Sequence, residues 1–180
     1  DEQRIASDFF IKDGFAAIPA LITSACISSS PFMIYFAQEL EEKGMDEEGF
    51  SGIDGRTSIF DYWHVSTINR WINKGKFNTS LLTKREKDLQ TFYKKLLHIC
   101  LNEKAIQKGL FYDLMWLNFD NPKFNTEKQY AFIRKEGKEM LLILVNFSDN
   151  DVDITVNIPK TVFDFFNIKD KQKKETINLI

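Results

Sequence analysis

Between Gln38 and Gly55 the chain carries seven acidic residues and one lysine. Carboxylates at this density have a short list of uses. They line a functional loop beyond the end of a strand, hold a hard cation, or keep a long loop in water. The spacing of Glu41, Glu42, Asp46, Glu47 and Glu48 matches no calcium-loop pattern, so a solvated loop is the plainest reading of these five.

His64 and His98 are the only histidines. Neither has a partner at ligand spacing, so zinc is not expected. His98 reads as a surface residue of a helix, and His64 as a packing or hydrogen-bonding residue. No Ser or Cys nucleophile motif and no glycine-rich phosphate loop is present. Cys26 and Cys100 lie in apolar surroundings and read as small core residues rather than a disulfide or metal framework. Trp63, Trp71 and Trp116 offer flat apolar faces that could stack on the C–H face of a pyranose. Tryptophan is more often core, because aromatics dominate buried area. Tyr62 and Trp63, carried on a loop, are the best stacking candidates.

The bulk composition restricts these options further. With 180 residues, 43% of them hydrophobic, the chain suffices for one ordinary domain or for a large and a small piece. A net charge of −2 gives no electrostatic footprint for nucleic acid. The densest basic stretch, "IKDKQKKE", reads as a solvated loop or hairpin tip. No run approaches the roughly 18 apolar residues of a membrane span.

The elements that must position these residues can be placed in outline. "DGFAAIPALITSACISS" reads as a buried helix with Asp13 near its start. Pro19 tolerates only the first turn, which moves the helix start toward Ile18. "PFMIYFAQE" is a continuous apolar run and reads as a strand buried on both faces. A long loop follows over residues 40–66, with four glycines. "STINRWIN" reads as a short helix capped by Ser66. "TKRE" at Thr83–Glu86 is a capping box, followed by apolar residues at helical spacing through Cys100. A further turn over 102–107 stops at Gly109. Beyond it, "LFYDLMWLNF", "KQYAFIRKE" and "EMLLILVNFS" read as strands. In "DVDITVNI", Val152, Ile154, Val156 and Ile158 alternate with polar residues, predicting a half-exposed antiparallel strand. "VFDFF" and "ETINLI" read as two more strands. The fold class is α+β, divided into residues 1–109 and an antiparallel domain over 110–180.

Three stretches in order, "DEQRIASDFF", "SSPFMIYFAQELEEKG" and "GRTSIFDYW", resemble the α-amylase family of glycoside hydrolases. The resemblance spans most of residues 1–158. It implies the final βα elements of a TIM-type (β/α)8 barrel followed by an antiparallel Greek-key β-sandwich. "PFMIYFAQE" matches the family's eighth strand and its Tyr-Gly-x-Glu ending. Ala37 stands where the family usually has Gly, and Ser29 or Ser30 where it often has Gly before the strand. Asp1 matches the Asp of an Asn-His-Asp motif whose first two residues would lie just upstream.

The implied chemistry is retaining hydrolysis or transfer on α-linked glucans, with Asp1 as the sugar-binding carboxylate that stabilises the transition state. Glu39 and Arg56 are placed at the rim of the last barrel loop, with Tyr62 and Trp63 as stacking residues. The family's nucleophile and general acid belong to earlier strands, so these residues alone are expected to be inactive. No cofactor is implied, calcium being a candidate only for the intact enzyme. The expected partner is an α-glucan or malto-oligosaccharide, with no nucleic acid and no membrane. A second copy is a candidate partner through the exposed barrel strand. Two other readings stay open: a non-catalytic module that stabilises the barrel or binds α-glucan, and a degenerate paralogue that binds sugar for sensing or transport.

Overall fold

A computed structural model of the chain describes residues 3–47, 53–57, 59, 64–169 and 178–179. The helices are α1 (Ile18–Cys26), α2 (Ser66–Ile72), α3 (Lys84–Asn102), α4 (Lys104–Lys108) and α5 (Lys160–Phe165). The strands are β1 (Leu110–Asp113), β2 (Gln129–Glu136) and β3 (Glu139–Asn146). The chain is of mixed helix and strand, in the α+β class. It divides into two compact units, one of residues 1–18 with 32–97 and one of residues 19–31 with 98–180. None of the described helices is long and apolar enough to cross a membrane.

In the first unit a 3-10 turn over Gly14–Ala17 is capped by Asp13, whose carboxylate accepts from the Phe15 N–H. It leads directly into α1 at Ile18, where Pro19 occupies the second position and loses no helical hydrogen bond. The capping box opens α3 as expected. The Thr83 N–H donates to Glu86 at 2.7 Å, and the Glu86 N–H donates to Thr83 Oγ1 at 3.2 Å. Glu86, Leu89, Tyr93 and Leu96 then form the buried face. A second apolar cluster joins Ala37, Leu40, Val65, Ile68 and Leu82.

The run "PFMIYFAQE" does not form a strand. A strand without neighbours leaves its backbone donors and acceptors unpaired, and here the chain turns instead. The Gln38 N–H bonds Tyr35 O at 2.9 Å, and the Leu40 N–H bonds Ala37 O at 3.0 Å. Gln38–Leu40 is a 3-10 turn flanked by left-handed residues, Ala37 at φ 58° and Glu41 at φ 60°. Met33, which a two-sided strand would bury, is 80% exposed. The edge through which a second copy was expected to pair is therefore not formed by residues 31–39.

The second unit is built on an antiparallel sheet of order β1-β2-β3. The central strand β2 is buried on both faces. Ala131 and Ile133 meet Leu114, Phe124, Val162 and Phe166 on one side. On the other side Phe132 packs on Phe111, and Arg134 reaches α4. "VFDFF" is not a strand: Val162–Phe165 lie in α5 and Phe166 is its C-cap. Val162 and Phe166, four residues apart, share its buried face. "DVDITVNI" keeps part of its alternation, with Ile154, Val156 and Ile158 facing the core, but Val152 is exposed and no strand pairs with the segment among the described residues. One backbone bond, from the Thr155 N–H to Lys123 O at 3.1 Å, together with side chains, takes the neighbour's place. Asn118, fully buried, accepts from the Asn157 N–H at 2.7 Å and donates to Asn157 O at 3.1 Å and Leu114 O at 2.9 Å. Asn121 donates to Thr155 O at 2.6 Å. "ETINLI" lies largely outside the described residues.

Arg134 closes the other face of this sheet. It is 2% exposed. Its guanidinium donates to Ile27 O at 3.0 Å, Ala105 O at 3.1 Å, Ile106 O at 2.8 Å and Ser29 Oγ at 2.8 Å. The carbonyls belong to α4 and to the residue just past α1, where helix dipoles present partial negative charge. Among the described residues no carboxylate pairs with Arg134. Burial lowers its pKa from the ordinary arginine value.

Candidate functional site

The three stretches that carry the family resemblance meet at Arg4, a residue that spacing alone did not single out. Arg4 is buried. Its backbone N–H donates to Gly55 O at 2.6 Å. Its Nε donates to Thr57 Oγ1 at 3.2 Å, its Nη2 donates to Phe36 O, and its guanidinium lies 4.4 Å from the centre of the Tyr35 ring. Tyr35 in turn donates its hydroxyl to Thr57 O at 3.0 Å. One cation thus ties "DEQRIAS", "PFMIYFAQE" and "GRTSIF" together.

Glu42 extends this hub. It accepts from the Gly44 N–H at 2.7 Å and from the hydroxyls of Thr57 and Thr67, while itself being 4% exposed. The loop closes where the Gly55 N–H donates to Gly44 O at 2.8 Å. Both glycines are required there. Gly44 has φ +63°, and a Cβ on it would stand 2.4 Å from the Gly55 carbonyl carbon. Gly55 has φ +83° and packs on Ser7.

Other acids of the cluster are also structural. Asp46 accepts from both the N–H and the hydroxyl of Ser66, at 2.8 and 2.9 Å. Ser66 is therefore the first residue of α2 rather than its cap, and a side chain twenty residues upstream satisfies the helix terminus. Glu41 accepts from the Gly14 N–H and from Arg85, which also holds Asp13. These partners push the Arg85 pKa upward. Burial pushes the Glu86 carboxyl up, but hydrogen bonds from Arg70 and Thr83 outweigh it and hold it below the ordinary value. These groups line a mixed-charge cleft of about 640 Å³. Glu41, Glu42 and Asp46 do not simply solvate a loop, because each is committed to holding the backbone or a neighbouring hydroxyl.

Glu39 behaves differently. Burial raises its pKa, against the pull of its own backbone amide and of the Arg4 charge. It is the carboxylate of this region, among the described residues, whose proton affinity is raised. Its neighbour Gln38 donates to the Tyr93 hydroxyl at 2.8 Å, and burial raises the pKa of that phenol. The structure thus places Glu39 beside Arg4. Arg56 is instead exposed and clamped on Asp54, with Nε to Oδ2 at 2.9 Å. Asp1, Tyr62 and Trp63 lie outside the described residues. His64 and His98 are exposed. Trp71 packs against the cluster around Leu40 and meets Phe77 edge-on, a core role. Trp116 is 85% exposed and lies nearly parallel to Phe119, with ring centres 6.3 Å apart. Among the described residues no group of three or more His, Cys, Asp or Glu could hold a metal ion.

No family model matches the chain, and no curated protein or solved structure matches it.

Proposed function

We propose that these residues are the C-terminal portion of an α-amylase-family enzyme acting on α-linked glucans. In this reading they supply the chain at the end of the barrel, whose last strand is not formed by these residues alone, and the C-terminal β domain. The mechanism is retaining. A nucleophile and a general acid/base about 5 Å apart come from chain outside these residues. Asp1 binds the hydroxyls of the reacting sugar, through charge-assisted hydrogen bonds that strengthen as the ring flattens. Glu39, Arg56, Tyr62 and Trp63 belong to the rim.

The observation that carries this reading is the convergence on Arg4. A chance likeness in three separate stretches gives no reason for them to meet around one buried cation. Ala37 adds support. It stands where the family usually has Gly, and it adopts φ 58°, a conformation that glycine takes at no steric cost. The gene upstream of the Asp1 codon provides the test. Asn and His codons should directly precede it, with strands ending in a catalytic Asp and a catalytic Glu farther up. A reading frame without them sinks the proposal.

One observation favours a second reading, a module that binds α-glucan without chemistry. Trp116 and Phe119 present two near-parallel exposed rings, a platform suited to the apolar face of a pyranose. Titration with maltoheptaose should quench or shift tryptophan emission in the parent chain and leave Trp116→Ala silent. An unchanged spectrum in the folded parent rules this reading out.

A further inference from the structure

We propose that Cys26 and Cys100 form a reversible redox site, in which the half-buried Cys100 attacks a small-molecule disulfide and the buried Cys26 closes the bond. The proposal does not depend on the glucan reading. Both residues belong to the second unit. Cys26 is the last residue of α1 and is 3% exposed, while Cys100 lies near the end of α3 and is only partly covered. The Cys100 thiol contacts the carbonyl of Ala25, the residue before Cys26, at 3.8 Å. Both thiols are free, and the contact with Ala25 brings Cys100 alongside the residue that precedes its partner, the neighbourhood from which a bond of about 2.05 Å can form.

The surroundings divide the labour between them. Arg134 donates to Ile27 O, one residue beyond Cys26. Its charge pulls the Cys26 thiol downward, but the neighbouring Cys100 and burial outweigh that pull and drive it upward. The neighbouring Cys26 holds the Cys100 thiol below the ordinary cysteine value. A partly accessible sulfur backed by a buried one is the arrangement of an attacking and a resolving cysteine.

The exchange balances with a glutathione-type disulfide as oxidant. The Cys100 thiolate attacks one sulfur, breaks the S–S bond and releases one glutathione thiolate. Cys26 then attacks the Cys100 sulfur of the mixed disulfide and displaces the second glutathione. The protons of the two protein thiols pass to the two departing thiolates. The protein dithiol is oxidised by two electrons, and the disulfide is reduced to two thiols.

The test incubates the folded 180-residue chain in glutathione buffers of increasing oxidised fraction, quenches with acid, and measures intact mass and alkylatable thiols. The expected product is lighter by two hydrogens, has lost both free thiols, yields a linked Cys26–Cys100 peptide and returns to the dithiol with excess reductant. Cys26→Ser should halt as a single glutathione adduct on Cys100, and Cys100→Ser should gain none. Absence of the linked peptide at every ratio overturns the proposal. So does a stable glutathione adduct on Cys100 of the parent chain, or linkage that forms only under denaturant.

Discussion

Replacing Arg134 by methionine preserves the reach of the side chain and removes every donor. The parent guanidinium serves three carbonyls and one hydroxyl. A hydrogen bond from a charged donor contributes roughly 1.5–3 kcal/mol, but the four do not simply add. Removing Arg134 also removes the desolvation penalty of a buried cation, several kcal/mol in its own right. What the variant cannot recover is the cost of the acceptors left behind. The Ala105 carbonyl keeps the Gly109 N–H at 3.0 Å, and exposed Ser29 can turn to water. The Ile27 and Ile106 carbonyls bear the loss, at about 1–3 kcal/mol each when left dry. The expected total is roughly 3–5 kcal/mol, a large share of the 5–15 kcal/mol that holds a typical domain. Arg134→Lys should fall between, because one ammonium cannot span the fork. Urea unfolding followed by far-UV ellipticity reads the difference as a lower midpoint at unchanged slope. A methionine variant within about 1 kcal/mol of the parent, or above it, would refute the argument. The charge would then be a burden rather than a tie, with water already serving the carbonyls.

Three further outcomes are expected. Asp46→Ala removes both bonds to Ser66 and should cost about 0.5–2 kcal/mol, the usual worth of a helix N-cap, read by urea denaturation. Asn118→Leu keeps the volume but strips the polar edge that holds Asn157. It should cost roughly 2–4 kcal/mol and speed hydrogen exchange at the Asn157 amide. Burial raises the Glu39 pKa in the folded chain above the ordinary 4.5, so ionising it costs stability. That loss sets in as pH rises through the unfolded value and is complete above the folded one. Thermal melts should therefore show Glu39→Gln gaining on the parent at about pH 7 and converging with it near about pH 3.

Local signals were legible where one residue's neighbours decide its conformation. The box at Thr83–Glu86, the start of α1 at Ile18, the stop at Gly109, β2 and β3 follow from capping chemistry, proline sterics and period, whereas "LFYDLMWLNF" is a strand only over Leu110–Asp113 and turns into a 3-10 helix over Trp116–Asn118. The errors fell where a distant partner decides. "PFMIYFAQE" has the apolar content of a two-sided strand, but a strand needs neighbours, and its own sequence does not state that none will pair with it. "DVDITVNI" shows the alternation of a strand, yet apart from one backbone bond, Thr155 N–H to Lys123 O, the groups that bond it are the side chains of Asn118 and Asn121. Val162 and Phe166 fit a helix, but "VFDFF" is too short to separate a period of 3.6 from one of 2. Of the candidate site residues, Glu39 lies beside the hub and Arg56 is taken by Asp54. Arg4 was hidden because burial of a lone arginine has no signature in spacing. Glu42 was hidden because a buried carboxylate and a solvating one look alike in an acidic run.

The second unit is discontinuous in the chain, with residues 32–97 intervening between its two parts. This affects the order of folding during synthesis. The apolar face of α1, with Leu21, Ala25 and Cys26, leaves the ribosome long before the sheet that belongs to its unit. Until Arg134 is made, the Ile27 carbonyl lacks its cationic donor. The intervening residues can form their own unit meanwhile, which shortens the effective loop that must close when β2 appears. Completion of the second unit then depends on long-range contacts and is expected to be the slower event. A stalled chain ending before residue 129 would present α1 as an unpaired apolar helix, a natural substrate for a chaperone.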